Sequence, residues 1–443
     1  MFASRPKRLP VLRATTAPRA VALRRAACLA AAGCLLVSGC SSGDDEAASA
    51  TSPSASATET SATGTSATGT SAVEGTQDLP ARLTPVVEST MTDLVIPGTV
   101  VLVRTPDSEW FEAFGTRVVG TDEPVTVDDH FRVGSNTKTM TGTVLLQLVQ
   151  EGEVALEDPV SKYRPDIPNG DNITIAQILD MTSGLYNYSE LPEFNARLDN
   201  DPGYVWEPAE LLELGLAEPP YFPPGEGFHY SNTNYVLAGL IIEEVTGQDY
   251  ITAVRQRIFD PLELADTSIP PQDVATLPDP HPNGYQFGTN VSTLDSARLP
   301  DDQIAAARAG ELLPNDVTTA SPSWTWAAGA AISTAEDLAT YVEALVAATP
   351  PLLDDALQQQ RLDSLVARNP DDPQSPRYGL ALASFGPMIG HDGTTPGYQT
   401  FMGYDPERDI TLVVLCNLTD GPEGTGGSAN QIAKNIIAEL YPS

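Results

Sequence analysis

Apolar positions recur at helical spacing from residue 79 to 94, and two apolar strand patterns follow, at 98–104 and 110–116. A second helix opens near Ser135. Met140, Val144, Leu145 and Leu148 form an i, i+4, i+5, i+8 stripe on it, which predicts one core-facing side, and Gly152 closes it. From about residue 156 to 322 the pattern breaks into short helices and Pro-rich loops without convincing alternation. Within it, 173–180 and 236–245 read as helical stripes, the second stopped by Gly247. Residues 329–334 lead into a helix at 335–346. The period then changes, and 378–384, 396–404 and 409–417 alternate or run apolar as strands. A last helix places Ile432, Ile436 and Leu440 on one face. Strands at both ends and a helical middle predict an α/β chain of the α+β kind. One antiparallel sheet is flanked by helices and interrupted by an inserted mostly helical domain, about 156–322, with a cleft between the two as the natural site.

The first 77 residues lack such a pattern. Seven basic residues and no acidic one fall in residues 1–39, ending at Arg24-Arg25, before an apolar run from Ala26 to Val37 that is short for a membrane span. This reads as an export signal. The arginine pair fits a twin-arginine signal and an ordinary basic leader equally well. Residues 41 to 77 are mostly Ser, Thr, Ala and Gly with the near-repeat Ala-Thr-Gly-Thr-Ser, a composition that predicts a flexible tether reaching about 35 Å as a random coil.

Composition narrows the chemistry. The formal charge of −35 becomes −42 once residues 1–39 are removed, leaving 17 basic against 59 acidic residues. Such a surface disfavours nucleic acid, and an anionic substrate would need a local cation. Cys28 and Cys34 fall within the signal, and no Cys/His spacing suggests a metal site. Cys416 sits in an apolar run and reads as a small core residue.

Three motifs carry candidate chemistry. Ser135-Asn-Thr-Lys138 puts a hydroxyl and an amine on one helical face, where a desolvated lysine can take up the serine proton. The same pair also fits a helix N-cap with a surface lysine. Four lysines occur in the chain, at 7, 138, 162 and 434, so one inside an apolar helical face is notable. Tyr230-Ser-Asn232 is the one Tyr-x-Asn in the sequence. Its phenol can accept the serine proton if cations depress its pKa, and its amide can orient both the lysine and a substrate amide. His391-Asp-Gly393-Thr394 contains the one His-x-Gly, where a glycine admits a substrate backbone and the next N–H can complete an oxyanion hole.

Together, in this order and around a helical insertion, these motifs resemble those of the serine β-lactamase and penicillin-binding protein superfamily, in the branch of class C β-lactamases and D-alanyl-D-alanine carboxypeptidases. Segments 173–185 and 327–338 are similar as well, and the likeness spans about 79 to 441. The resemblance implies acyl transfer without metal or cofactor. Ser135 would be the nucleophile, Lys138 and Tyr230 would move its proton, and Asn232 would steer the substrate. The Ser135 and Thr394 N–H groups would hold the oxyanion beside His391 and Gly393. The third motif departs from the Lys-Thr-Gly of class C β-lactamases, which favours a carboxypeptidase or D-amino-acid peptidase. Asp392 adds a negative charge that suits a neutral ester or amide better than a carboxylate. The ending Leu36-Val-Ser-Gly-Cys40 resembles a bacterial lipobox, which implies cleavage before Cys40, lipidation of its thiol and residence on the outer face of the cytoplasmic membrane. A β-lactamase, an esterase and a non-catalytic binder of penicillins or wall peptides remain open beside the carboxypeptidase. Oligomeric state is not legible.

Overall fold

The computed structural model describes residues 78–347, 351–369 and 375–442. The chain divides into two units, residues 1–69 and 70–443, and every described residue belongs to the second. The signal, Cys40 and the tether therefore lie outside the described residues.

The strands of the main sheet are β1 (Gly98–Arg104), β2 (Glu109–Gly115), β7 (Val366–Ala367), β8 (Arg377–Gly379), β9 (Leu382–Phe385), β10 (Met388–Thr395), β11 (Tyr398–Asp405) and β12 (Ile410–Cys416). They lie in the order β2-β1-β12-β11-β10-β9-β8-β7, antiparallel throughout. Two small ribbons pair β3 (Phe131–Arg132) with β6 (Ile332–Ser333), and β4 (Tyr285–Gln286) with β5 (Asn315–Asp316). Helices α1 (Leu79–Leu94), α2 (Asn136–Gln150), α3 (Ile175–Leu179), α4 (Pro192–Asn200), α5 (Pro208–Ala217), α6 (Asn232–Thr246) and α7 (Tyr250–Val254) come first. Then follow α8 (Asn290–Asp295), α9 (Asp301–Arg308), α10 (Ala335–Val346), α11 (Asp355–Asp363) and α12 (Ser428–Leu440).

The apolar runs of β1 and β12 follow from burial on both faces. Val100, Leu102, Val413 and Leu415 join α2, α6 and α10 in one core. Val101, Val103, Leu412 and Val414 join α1 and α12 in a second. Cys416 is fully buried in β12, and burial pushes its thiol up to about 12. It is a core residue.

Two expectations change. The helix after Ser135 is not buried along one stripe: Asn136 through Leu146 are all buried, so α2 runs through the interior with its threonines bonded to main-chain carbonyls. The single strand expected at 378–384 is two, β8 and β9. Ala381 interrupts it at φ +54, where its N–H donates to the Leu179 carbonyl at 3.2 Å. Gly142 leaves it room, since a Cβ there would meet the Ala381 Cβ at 2.1 Å.

Candidate active site

Ser135 occupies the N-cap position of α2, yet its side chain makes no cap bond. Its Oγ is instead 3.0 Å from Lys138 Nζ. Lys138 is fully buried and also donates to the Ala328 carbonyl at 2.7 Å. The N-cap with a surface lysine is thereby ruled out. Burial drives the Lys138 pKa well below its ordinary value, with the Asp392 charge acting weakly the other way. Burial thus favours the neutral amine, the form that can accept a proton.

Residues 327–331 wrap this turn. Val133 N–H donates to Ala331 O at 2.9 Å, Ala331 N–H to Thr137 Oγ1 at 3.1 Å, and Thr141 Oγ1 to Ala327 O at 2.6 Å. Gly134, at φ +53, makes the sharp entry into α2.

Tyr230 stands over the pair. Lys138 Nζ is 4.8 Å from its ring centroid, and Ser135 lies within hydrogen-bonding reach of the phenol. Burial raises the phenol pKa well above its usual value and Tyr378 adds to the rise, while the Ser135 bond and Arg368 oppose it. This runs against one expectation, that of a phenol made basic by cations, because burial favours the protonated phenol.

Asn232 begins α6. Its amide donates to Ser189 Oγ at 3.0 Å and its backbone N–H to Asn187 Oδ1 at 3.0 Å. The bonds of Lys138 run to Ser135 and Ala328, so orientation of the lysine comes from a main-chain carbonyl rather than from Asn232.

His391, Gly393 and Thr394 lie on β10, which pairs with β11 from Ile389 to Thr395 but with β9 only over Met388–Gly390. The edge from His391 onward has no sheet partner among the described residues. It meets the Ser135 turn directly: a Cβ on Gly393 would sit 1.9 Å from Val133 O, and one on Gly134 would sit 2.6 Å from Thr394 N. Ser135 and Thr394 thus flank one contact between backbones, as two oxyanion donors require. His391 is buried 6.3 Å from the Tyr230 ring, and burial pushes its pKa down to about 4. A cleft of about 460 Å³ opens beside Thr394, lined among others by Ser189, Trp324, Thr395 and Pro396.

Three participants escaped the sequence reading. The Ala328 carbonyl has no side-chain signature. Tyr378 sat unremarked in an apolar run. Arg368 stacks on the Tyr378 ring at 4.9 Å and on Phe228 at 5.5 Å, with Nε and Nη2 buried and lacking a hydrogen-bond partner among the described residues. No group of His, Cys, Asp and Glu suited to a metal occurs among the described residues.

A family model described as Beta-lactamase matches residues 83–434. A solved D-stereospecific amidohydrolase from Streptomyces sp. superimposes with TM-score 0.67 at 31% identity, covering 81% of this chain and 99% of that one. Protein flp of Staphylococcus aureus (strain NCTC 8325 / PS 47) is 26% identical over 355 residues, which is 77% of this chain and 64% of that protein's length. Penicillin-binding protein 4* of Bacillus subtilis (strain 168) is 26% identical over 341 residues, covering 74% and 69%.

Proposed function

The chain belongs to the beta-lactamase family of serine hydrolases, and from that premise we propose that it cleaves amide bonds through an acyl-enzyme on Ser135, most like a D-alanyl-D-alanine carboxypeptidase acting on cell-wall peptides. The observation that carries this reading is the fully buried Lys138 amine 3.0 Å from Ser135 Oγ. A desolvated amine takes the serine proton as Oγ adds to the carbonyl. The Ser135 and Thr394 N–H groups hold the oxyanion. Tyr230 then gives its phenolic proton to the departing nitrogen and is reloaded by the Lys138 ammonium beside it. Water enters, loses its proton to the same pair, and releases the acyl group. No step in this sequence calls for a metal or cofactor.

The free edge of β10 suits an extended peptide lying alongside it. Arg368 supports a substrate with a terminal carboxylate, because its charge reaches Tyr230 and His391 and two of its N–H groups lack partners among the described residues. Asp392 favours a second reading, a D-amino-acid amide with a free amine, and the likeness to the Streptomyces amidohydrolase agrees with it. A β-lactamase or esterase would use the same groups.

Around this domain we place a signal in residues 1–39, lipidation of Cys40, and a tether to residue 77, holding the enzyme on the outer face of the membrane. The protein is tested with a fluorescent penicillin, a peptide ending in D-Ala-D-Ala and a D-amino-acid amide. A covalent adduct on Ser135, absent from Ser135→Ala, supports acyl transfer, and the preferred substrate separates the readings. Binding without adduct or turnover would leave a non-catalytic receptor.

A further inference from the structure

We propose that Tyr378 is a positioning residue of the acyl-transfer site, its hydroxyl donating to His391 Nε2 so that the imidazole clamps the β10 backbone carrying Thr394. The inference deepens the Ser135 reading and rests on it.

Hydrogen-bond direction carries the argument. His391 Nδ1 is 2.5 Å from the Asp392 carbonyl oxygen. A carbonyl only accepts, so the hydrogen is on Nδ1. A neutral imidazole in that form has a lone pair at Nε2, and the Tyr378 hydroxyl lies 3.3 Å from it. Tyr235 lies 3.4 Å beyond with its own proton committed to Leu179 O at 2.8 Å, so its oxygen competes as an acceptor for the Tyr378 proton, and the imidazole nitrogen is the nearer and more basic of the two acceptors. The chain ends at the peptide joining Asp392 to Gly393. The next peptide N–H is that of Thr394, against which the Gly134 turn packs.

The surroundings keep the imidazole neutral. It is 1% exposed and faces Lys138 on α2, Arg368 after β7, the Tyr230 and Tyr378 rings, and Asp392 on its own strand. Burial disfavours protonation most, Arg368 and any charge on Lys138 add to it, and Asp392 alone favours it. The Tyr378 ring meets Tyr230 edge-on at 6.1 Å and His391 at 5.6 Å. Phenylalanine there keeps these contacts and removes only the hydroxyl.

The test uses the full chain with ¹⁵N-labelled histidine, of which there are four. The wild-type His391 spectrum should show a protonated Nδ1 and a hydrogen-bonded, unprotonated Nε2. In Tyr378→Phe the Nε2 resonance should move to that of a free lone pair. The His391 titration midpoint should rise from about 4, because a donor to the neutral form is gone. Turnover, kcat, should fall about tenfold with KM within about twofold. Tyr235→Phe should keep the His391 signature. A wild-type Nε2–H tautomer overturns the proposal without any variant, as does a folded Tyr378→Phe with wild-type nitrogen shifts or wild-type kcat. A wild-type protein that forms no Ser135 adduct sinks the acyl-transfer reading instead, while the tautomer still decides whether the clamp exists.

Discussion

Lys138 is hydrogen-bonded to Ser135 but to no carboxylate among the described residues; its nitrogen is shared between the Ser135 hydroxyl and the Ala328 carbonyl. A fully buried ammonium without a paired anion is costly, so the amine is held toward its neutral form. On the proposed reading, stability is given up to keep a proton acceptor beside Ser135. The unfolded lysine still binds a proton up to about pH 10.4. As pH falls from there to the depressed folded pKa, stability is lost, and below that pKa the whole penalty applies. Lys138→Met should raise stability at neutral pH by about 1–3 kcal/mol, read as denaturant midpoint, and abolish turnover. The wild-type kcat/KM should rise with pH as Lys138 deprotonates. A destabilised Met variant, or one that retains activity, would show that the lysine is structural.

Gly393→Ala tests the backbone contact. Its Cβ would stand 1.9 Å from Val133 O, a main-chain atom also held by Asn136 Nδ2 at 3.0 Å and Thr400 Oγ1 at 3.0 Å. Neither backbone can yield without moving Thr394 away from Ser135. Turnover should fall by about 10²–10³, the loss expected for one oxyanion donor. Acylation by a fluorescent penicillin, timed by gel, measures it; an unchanged rate would place the oxyanion elsewhere.

Asp392 raises the proton affinity of both Lys138 and His391 through its charge. Asp392→Asn should move the acid limb of kcat/KM to lower pH, since the Lys138 pKa drops further. Asn430, which donates to Asp392 Oδ2 at 2.8 Å, can keep a similar bond to the new amide. If the carboxylate also greets a substrate amine, the variant should lose activity toward D-amino-acid amides and gain it toward peptides ending in a carboxylate. Parallel changes on both substrates would remove Asp392 from specificity.

Sequence made the site legible where chemistry needs a side chain at a fixed offset. Ser135 and Lys138 meet because i and i+3 share a helical face, and the Tyr230 and His391 motifs are each unique in the chain. It fell short where long-range packing decides. β10 reads poorly as a strand because two glycines and polar residues occupy it, yet one of them, Gly393, is what lets the serine turn touch it. The break between β8 and β9 depends on Ala381 meeting α2 and α3, which no local pattern encodes. The Tyr230 pKa was misjudged because its burial is a property of the assembled fold.

Arg368 gives the sharpest test of substrate class. The protein is strongly acidic, so any carboxylate-bearing substrate approaches against the field and needs a nearby cation. Arg368 is held flat on Tyr378 and Phe228, and its charge reaches Tyr230 and His391 without a hydrogen-bonded acid of its own among the described residues. A guanidinium so placed can bind a carboxylate through two N–H groups, worth about 1.5–3 kcal/mol for charge-assisted bonds. Arg368→Gln should therefore lower kcat/KM for a D-Ala-D-Ala peptide by about 10–100-fold and leave a neutral acyl ester within about threefold. Equal losses on both would mean that Arg368 only supports the Tyr378 ring. Equal indifference would mean that the cleaved bond is not followed by a carboxylate, and the D-amino-acid amide would then become the better substrate.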